Sequence, residues 1–143
     1  IMKNKPIVME HYHKVHTTYV VDFTFTTNIT FLTGDSGQGR SVVFSFLEED
    51  AVKNSQLLCF NYLDWQKDIK SLITGAEGKL IVVDNADLLL TDEIRKHIAL
   101  DDKNQYLLIG RDPRNLYATK DNIFGLASEK KGEKTEFKIE MFV

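Results

Sequence analysis

Residues 29–41 read ITFLTGDSGQGRS, and this stretch decides how the chain is organised. Its first five residues, Ile29–Thr33, form an apolar run typical of a buried strand. Three glycines follow between residues 34 and 39, and apolar residues recur at helical spacing from Ser41 onward. The sequence therefore predicts a strand, a glycine-rich loop and a helix in direct succession.

The glycine-rich loop matches a phosphate-binding template at every fixed position but one. The octapeptide fits G-x-x-x-x-G-K-[ST], except that an arginine occupies the lysine position. Such a loop turns backbone N–H groups inward at the positive end of a helix, where phosphate oxygens are stabilised. We expect the whole loop to bind a nucleotide: Gly34, Asp35, Ser36, Gly37, Gln38, Gly39, Arg40 and Ser41. The alternative is a strand-to-helix turn whose glycines only relax the backbone.

A second apolar run ends in an acid. Leu80-Ile81-Val82-Val83-Asp84 predicts a buried strand with a carboxylate at its end, where an acid can order the water shell of Mg²⁺. Short strands and helices alternate through this region, as in parallel sheets whose ligands bind at the carboxyl ends of the strands. Gly34, Asp84 and Gly110 are therefore expected at one edge. The alternative for Asp84 is a capping role.

Together, Gly34–Ser41 and Leu80–Asp84 resemble the Walker A and Walker B motifs of the P-loop NTPases, over roughly residues 19–117. The chain is most similar to the branch that holds the ABC, AAA and RecA-like ATPases, where another strand separates the loop strand from the Walker B strand. The resemblance implies a three-layer α/β fold, with a mainly parallel sheet covered by helices and antiparallel strands at the N- and C-terminal ends. The length of 143 residues predicts a single domain over residues 1–143.

The resemblance implies roles for the matched residues. Arg40 would bridge the β- and γ-phosphates of ATP or another nucleoside triphosphate. Ser41 would bind Mg²⁺ through its hydroxyl, and Asp84 would hold the ion through water. Two departures concern catalysis. Asn85 stands where this family often has a catalytic glutamate, so that Asp87 is the nearest acid that could replace it. A planar guanidinium is also not equivalent to a lysine ammonium.

Three functions remain open on these residues. The first is binding of a nucleotide, with ATP expected, and with weak or absent hydrolysis. The domain would then act as a switch, or as a subunit completed by a protein partner or a second copy. The second is a nucleotide-free interaction module. The third is an active small ATPase in which Arg40 replaces lysine and Asp87 supplies the base. In a further alternative, Arg111 and Arg114 reach the phosphates as a lid.

Composition limits the partners. A net charge of −3 gives no support for a nucleic-acid ligand. No apolar run approaches the length of a membrane span and the N-terminus lacks a signal-peptide pattern, so we expect a cytoplasmic location without membrane contact. His11, His13 and His16 are candidate metal ligands, with an exposed hairpin as the alternative.

Two flanking segments have clear patterns. Tyr19–Phe25 alternates apolar and polar residues as a half-buried strand does, and Ile7–Val15 is expected to pair with it as a hairpin. Asp64 is expected to cap a helix that ends at Gly75 and buries Trp65.

Overall fold

The computed structural model describes residues 5–33, 39–113 and 120–141. Within these ranges the strands are β1 (His11–Val15), β2 (Tyr19–Thr24), β3 (Ile29–Thr33), β4 (Leu57–Phe60), β5 (Leu80–Val83), β6 (Gln105–Ile109), β7 (Ile123–Lys131) and β8 (Lys134–Met141). The α-helices are α1 (Arg40–Ala51), α2 (Ile69–Thr74), α3 (Ala86–Leu89) and α4 (Asp92–Leu100). Short 3₁₀ turns occupy Tyr62–Asp64 and Lys120–Asn122.

All of these strands form one mixed sheet in the order β1-β2-β8-β7-β3-β6-β5-β4. Each neighbouring pair from β7 to β4 is parallel. The pairs β1–β2 and β7–β8 are antiparallel, which confirms the hairpin expected before the glycine-rich loop. Leu32 lies opposite Ile109, and Val83 lies opposite Leu108, so β3, β6 and β5 end level with one another.

The expected three-layer α/β fold, with a mainly parallel sheet covered by helices, is wrong. The structure instead has a curled mixed sheet of eight strands and four short helices, with about 37% strand and 29% helix. The longest described helix, α1, has 12 residues, and α3 has 4. Helices of this length leave much of the sheet to be covered by other strands.

Two apolar clusters on opposite faces of the sheet account for the curl. One cluster joins Phe31, Ile81 and Tyr106 to residues of α2, α3 and α4. The other joins Leu32, Val82 and Leu107 to one face of α1. On this second face, β1, β2 and β8 complete the cover through Tyr12, Val21, Phe23 and Phe137. Because strands close this side, the sheet bends over its own face to bury the apolar surface.

The segment after β4 differs from its predicted helix. The Asp64 carboxylate accepts a hydrogen bond from the backbone N–H of Asn61 at 2.8 Å, and the Asn61 side chain accepts one from the N–H of Leu63 at 2.9 Å. These bonds close a 3₁₀ turn, and α2 begins only after its own cap, Asp68. The expected burial of Trp65 is wrong, because its side chain is 70% exposed.

The buried side-chain amides of Asn28 and Gln105 form hydrogen bonds with the backbone of residues 7–9, next to the amino ends of β3 and β6. The side chain of Gln105 accepts hydrogen bonds from the N–H groups of Val8 at 3.0 Å and Met9 at 2.9 Å, and donates to the Met9 carbonyl at 2.9 Å. Asn28 accepts a hydrogen bond from the N–H of Ile7 at 3.1 Å. The segment is thus held by side chains without forming a strand.

Replacing Gln105 tests how much its hydrogen bonds to the N-terminal segment stabilise the fold. Gln105→Ala leaves backbone groups of Val8 and Met9 without their partners, and we expect the free energy of unfolding to fall by about 2–4 kcal/mol. Urea denaturation followed by circular dichroism measures the change. Gln66→Ala, at an exposed position, is the control and should change it by less than about 0.5 kcal/mol. Equal effects of the two substitutions would contradict a stabilising role of the Gln105 hydrogen bonds.

Candidate functional site

A cleft of about 780 Å³ opens at the carboxyl ends of β3, β6, β5 and β4. It brings together seven residues that the sequence singled out: Gly39, Arg40, Ser41, Asp84, Asp87, Gly110 and Arg111. The remaining predicted loop residues lie outside the described part of the chain: Gly34, Asp35, Ser36, Gly37 and Gln38. Arg114 also lies outside it, whereas Arg111 lines the cleft.

Gly39 starts α1 in a backbone conformation that requires glycine. Its φ of 96° lies in the left-handed region. A Cβ added there would lie 2.5 Å from Cε1 of Phe137 on β8. The lack of space and the positive φ both exclude a side chain, so the start of α1 packs directly against β8 and aims Arg40 and Ser41 at the cleft.

The guanidinium of Arg40 reaches from α1 to the end of β6. Its Nη1 donates a hydrogen bond to the carbonyl oxygen of Gly110 at 2.9 Å. Its positive charge also acts on Asp84, where it favours the ionised carboxylate. Arg40 therefore spans the strand ends within the cleft.

Asp84 directly follows β5 and is half-buried. Its carboxylate accepts a hydrogen bond from the N–H of Asn85 at 2.9 Å. Asn85 itself has a φ of 53°, a left-handed conformation that starts α3. Burial raises the pKa of Asp84, the Asn85 hydrogen bond and the charge of Arg40 oppose that rise, and nearby Asp87 adds to it. An ionised Asp84 is thus held in the cleft at a net cost.

Gly110, the residue directly after β6, contacts both Arg40 and Asp87. A Cβ on this residue would lie 2.5 Å from Oδ1 of Asp87, so that carboxylate rests against the Gly110 backbone. The carbonyl oxygen of the same residue holds Arg40. The sequence indicated Gly110 only as a strand end, without this contact.

The cleft combines charges of both signs. Arg40 and Arg111 line it, Asp84 lies at the end of β5, and the Asp87 carboxylate lies against the backbone of Gly110, just after β6. Two exposed apolar side chains also line the cleft: Tyr62 after β4 and Leu88 on α3, which are 62% and 82% exposed. Both apolar side chains follow closely after strand ends, but no pattern in the sequence indicated them.

A second cavity, of about 320 Å³, adjoins the first and shares Ser41 and Val42 with it. Aromatic side chains line it: His16, Tyr19 and Phe46. The ring of His16 meets that of Phe46 edge-on, with centroids 5.8 Å apart. The cavity is thus an aromatic compartment reached from the start of α1.

Two further expectations concern metal and membrane. His11 contacts Asp22 and stacks on His13, with ring centroids 6.0 Å apart. Across the described ranges, no three His, Cys, Asp or Glu side chains are grouped so as to hold a metal ion. Nor does any helix in these ranges have the length and apolar character needed to cross a membrane.

Comparisons with known proteins do not assign the chain to a family. No protein-family model, no curated protein and no solved structure matches it. The chemistry of the cleft is therefore the basis for inferring function.

The raised pKa of Asp84 leads to a pH-dependent prediction. Above its folded pKa, ionised Asp84 destabilises the fold, and this penalty disappears as the pH falls through the folded pKa towards the ordinary value of 3.8. Asp84→Asn should therefore raise the Tm by about 1–3 °C at pH 7.5, and by less at pH 4.

Asp64 provides the control of opposite sign for this measurement. Burial alone would raise the pKa of Asp64, but Lys67 and the Asn61 N–H lower it overall. Its ionised form thus stabilises the fold above the ordinary pKa, and Asp64→Asn should lower the Tm at pH 7.5. An Asp84→Asn variant that loses stability at pH 7.5, as Asp64→Asn does, would contradict the assignment.

Proposed function

We propose that the cleft binds a nucleoside triphosphate, with ATP as the expected nucleotide, together with Mg²⁺, and that hydrolysis is weak or absent. The observation that carries this proposal is the meeting of Arg40 and Asp84 in one cleft. Arg40 is a cation suited to phosphate oxygens, and Asp84 is a carboxylate suited to the water shell of a magnesium ion.

The start of α1 suits the phosphates. Its N-cap, Gly39, offers no side-chain hydrogen bond, and the first turn contains no acidic residue. The first N–H groups of a helix lack intrahelical partners, and the helix dipole is positive there. Phosphate oxygens could satisfy these donors beside Arg40.

A magnesium ion suits Ser41 and Asp84. The Ser41 hydroxyl would be a direct ligand, and Asp84 would accept hydrogen bonds from the water that the ion holds. A nearby divalent cation favours an ionised carboxylate. Binding of Mg²⁺ would therefore offset the cost of keeping Asp84 charged in the cleft.

The aromatic cavity suits the base. Phosphates at the start of α1 would place the rest of the nucleotide near Ser41 and Val42, which also line that second cavity. Stacking of a base on an aromatic side chain stabilises binding by about 1–3 kcal/mol. His16, Tyr19 and Phe46 offer such surfaces.

Weak hydrolysis is inferred from the residues around Asp84. The next residue, Asn85, is not an acid and cannot serve as a general base. Asp87 rests against Gly110, and Arg40 already bonds to the Gly110 carbonyl. That contact of Arg40 also favours the second candidate, a nucleotide-free interaction module in which the loop cation is satisfied by the protein itself.

Thermal unfolding tests the nucleotide proposal. Mg-ATP at about 100 times its dissociation constant should stabilise the protein by roughly 2.7 kcal/mol, a Tm shift of several degrees. Arg40→Ala should remove the shift, and Asp84→Ala should remove its dependence on Mg²⁺. Lys53→Ala, at an exposed position after α1, is the control and should retain both. Absence of a shift with Mg-ATP, Mg-ADP or Mg-GTP would favour the interaction module.

The base compartment is tested by a pair of histidine variants. His16→Ala should weaken binding of Mg-ATP about three- to tenfold and leave binding of inorganic tripolyphosphate unchanged, because only the nucleotide reaches the aromatic cavity. His13→Ala, on the same hairpin and outside the cavity, should change neither affinity. Calorimetric titration measures both ligands. Equal weakening for ATP and tripolyphosphate would place the base elsewhere.

A further inference from the structure

The aromatic cavity contains a carboxylate that the proposed function does not use. Along α1 the cavity is lined by Ser41, Ser45 and Glu49, with Val42 and Phe46 beside them. Residues four apart lie above one another on a helix, so the first three form one row along α1, and all three are exposed. The two serines are small and leave room for a ligand, whereas the Glu49 carboxylate lies at the far end of the row.

The other lining residues of the aromatic cavity come from the hairpin of β1 and β2. The N–H of His16 donates a hydrogen bond to the carbonyl oxygen of Tyr19 at 2.7 Å, and the His16 carbonyl accepts one from Nζ of Lys134 at 2.8 Å. The ring of Tyr19 packs against that of Phe137, with centroids 5.7 Å apart. These contacts hold the aromatic wall in place, so a flat ring in the cavity would lie between this wall and α1.

Glu49 differs from the neighbouring acid on α1 in its contacts. Asp50 accepts a hydrogen bond from the hydroxyl of Tyr12 at 2.9 Å and pairs with Lys14 at 3.3 Å. No such partner of the Glu49 carboxylate is found within the described ranges. An ionised carboxylate only accepts hydrogen bonds, so it is best satisfied by a ligand that presents an N–H or O–H donor.

The position of Glu49 along α1 suits the outer edge of a purine. Phosphates at the start of α1 would lie beside Ser41, and the rise from Ser41 to Glu49 is about 12 Å at about 1.5 Å per residue. The base is the part of a nucleotide farthest from its phosphates, so its outer edge would approach Glu49. Purines carry N–H donors on that edge: the 6-amino group of adenine, or N1–H and the 2-amino group of guanine.

We propose that Glu49 determines which base binds, because its carboxylate accepts a hydrogen bond from an N–H donor on the six-membered ring of a purine. This inference rests on the proposed function, since it takes the phosphates to lie at the start of α1. Adenine and guanine share the required donor. A purine without one would leave the carboxylate facing a C–H group, and hydrogen bonds to charged acceptors are stronger than those between neutral groups.

Matched nucleotides test this hydrogen bond. Purine riboside 5′-triphosphate differs from ATP only in lacking the 6-amino group, and inorganic tripolyphosphate has no base at all. Each is titrated calorimetrically in the presence of Mg²⁺, together with ATP and GTP. Whichever of ATP and GTP binds more tightly identifies adenine or guanine as the base, and its affinity should exceed that of purine riboside triphosphate about five- to twentyfold.

Two adjacent glutamates assign the effect to the aromatic cavity. Glu49→Ala should remove the preference over purine riboside triphosphate. Glu48→Ala removes an equal charge from a residue that does not line the cavity, and should retain the preference. Burial, and then the charge of Glu48, raise the pKa of Cys59 on β4, so Glu48 lies on the side of α1 that faces β4. Both variants should bind tripolyphosphate equally, and circular dichroism verifies that they are folded.

Several outcomes would overturn the inference. One is equal affinity of the unsubstituted protein for ATP, GTP and purine riboside triphosphate, and another is a preference that Glu49→Ala leaves intact. A third is equal loss of the preference in Glu48→Ala and Glu49→Ala. In each of these cases the nucleotides still bind, so the proposed function stands. Absence of binding by tripolyphosphate and by every nucleotide would instead remove the proposed function, and this inference with it.

Discussion

The hydrogen bond from Arg40 to the carbonyl oxygen of Gly110 joins the start of α1 to the end of β6, and the layout of the cleft depends on it. The contact holds the positive charge of Arg40 close to Asp84. Burial raises the pKa of Asp84 and so favours its neutral form, and the charge of Arg40 opposes this effect. Asp87 rests on the other side of the same glycine. A glycine at position 110 thus lets Asp87 approach the end of β6 next to the carbonyl that holds Arg40.

The cover of the sheet explains why the cleft is open. Three short helices bury one face, whereas α1 covers the other together with strands from both ends of the chain. The rims of β4, β5 and β6 therefore remain accessible, and short turns rather than long helices follow β4 and β5. The groups that line the cleft come from these turns, from the start of α1, and from Gly110 and Arg111 after β6.

Local patterns carried most of the correct predictions from the sequence. The strand Ile29–Thr33 and the helix after the glycines were evident, because apolar periodicity directly reflects burial. The proximity of Arg40 and Asp84 followed from parallel strands that end at one edge. The fold class could not be predicted from these patterns. The curl of the sheet depends on β1, β2 and β8 covering the face that carries α1, and local patterns do not reveal such long-range packing. Trp65 was misplaced because Asp64 binds Asn61 in a turn instead of capping a helix, a choice between two local hydrogen bonds that spacing does not reveal.

Strand β6 is engaged at both of its ends. At its amino end, the side chain of Gln105 accepts hydrogen bonds from the backbone of residues 8 and 9. Immediately after its carboxyl end, the carbonyl of Gly110 accepts a hydrogen bond from Arg40. Side chains in a strand alternate between faces, so a slip of one residue would turn Gln105 away from its partners and exchange the residues that face the two apolar clusters. The register of β6 therefore determines both the attachment of the N-terminal segment and the position of Gly110 in the cleft. Changes of length inside β6 would affect both places, whereas substitutions of the exposed side chains of Asp102 and Lys103 would leave that register intact.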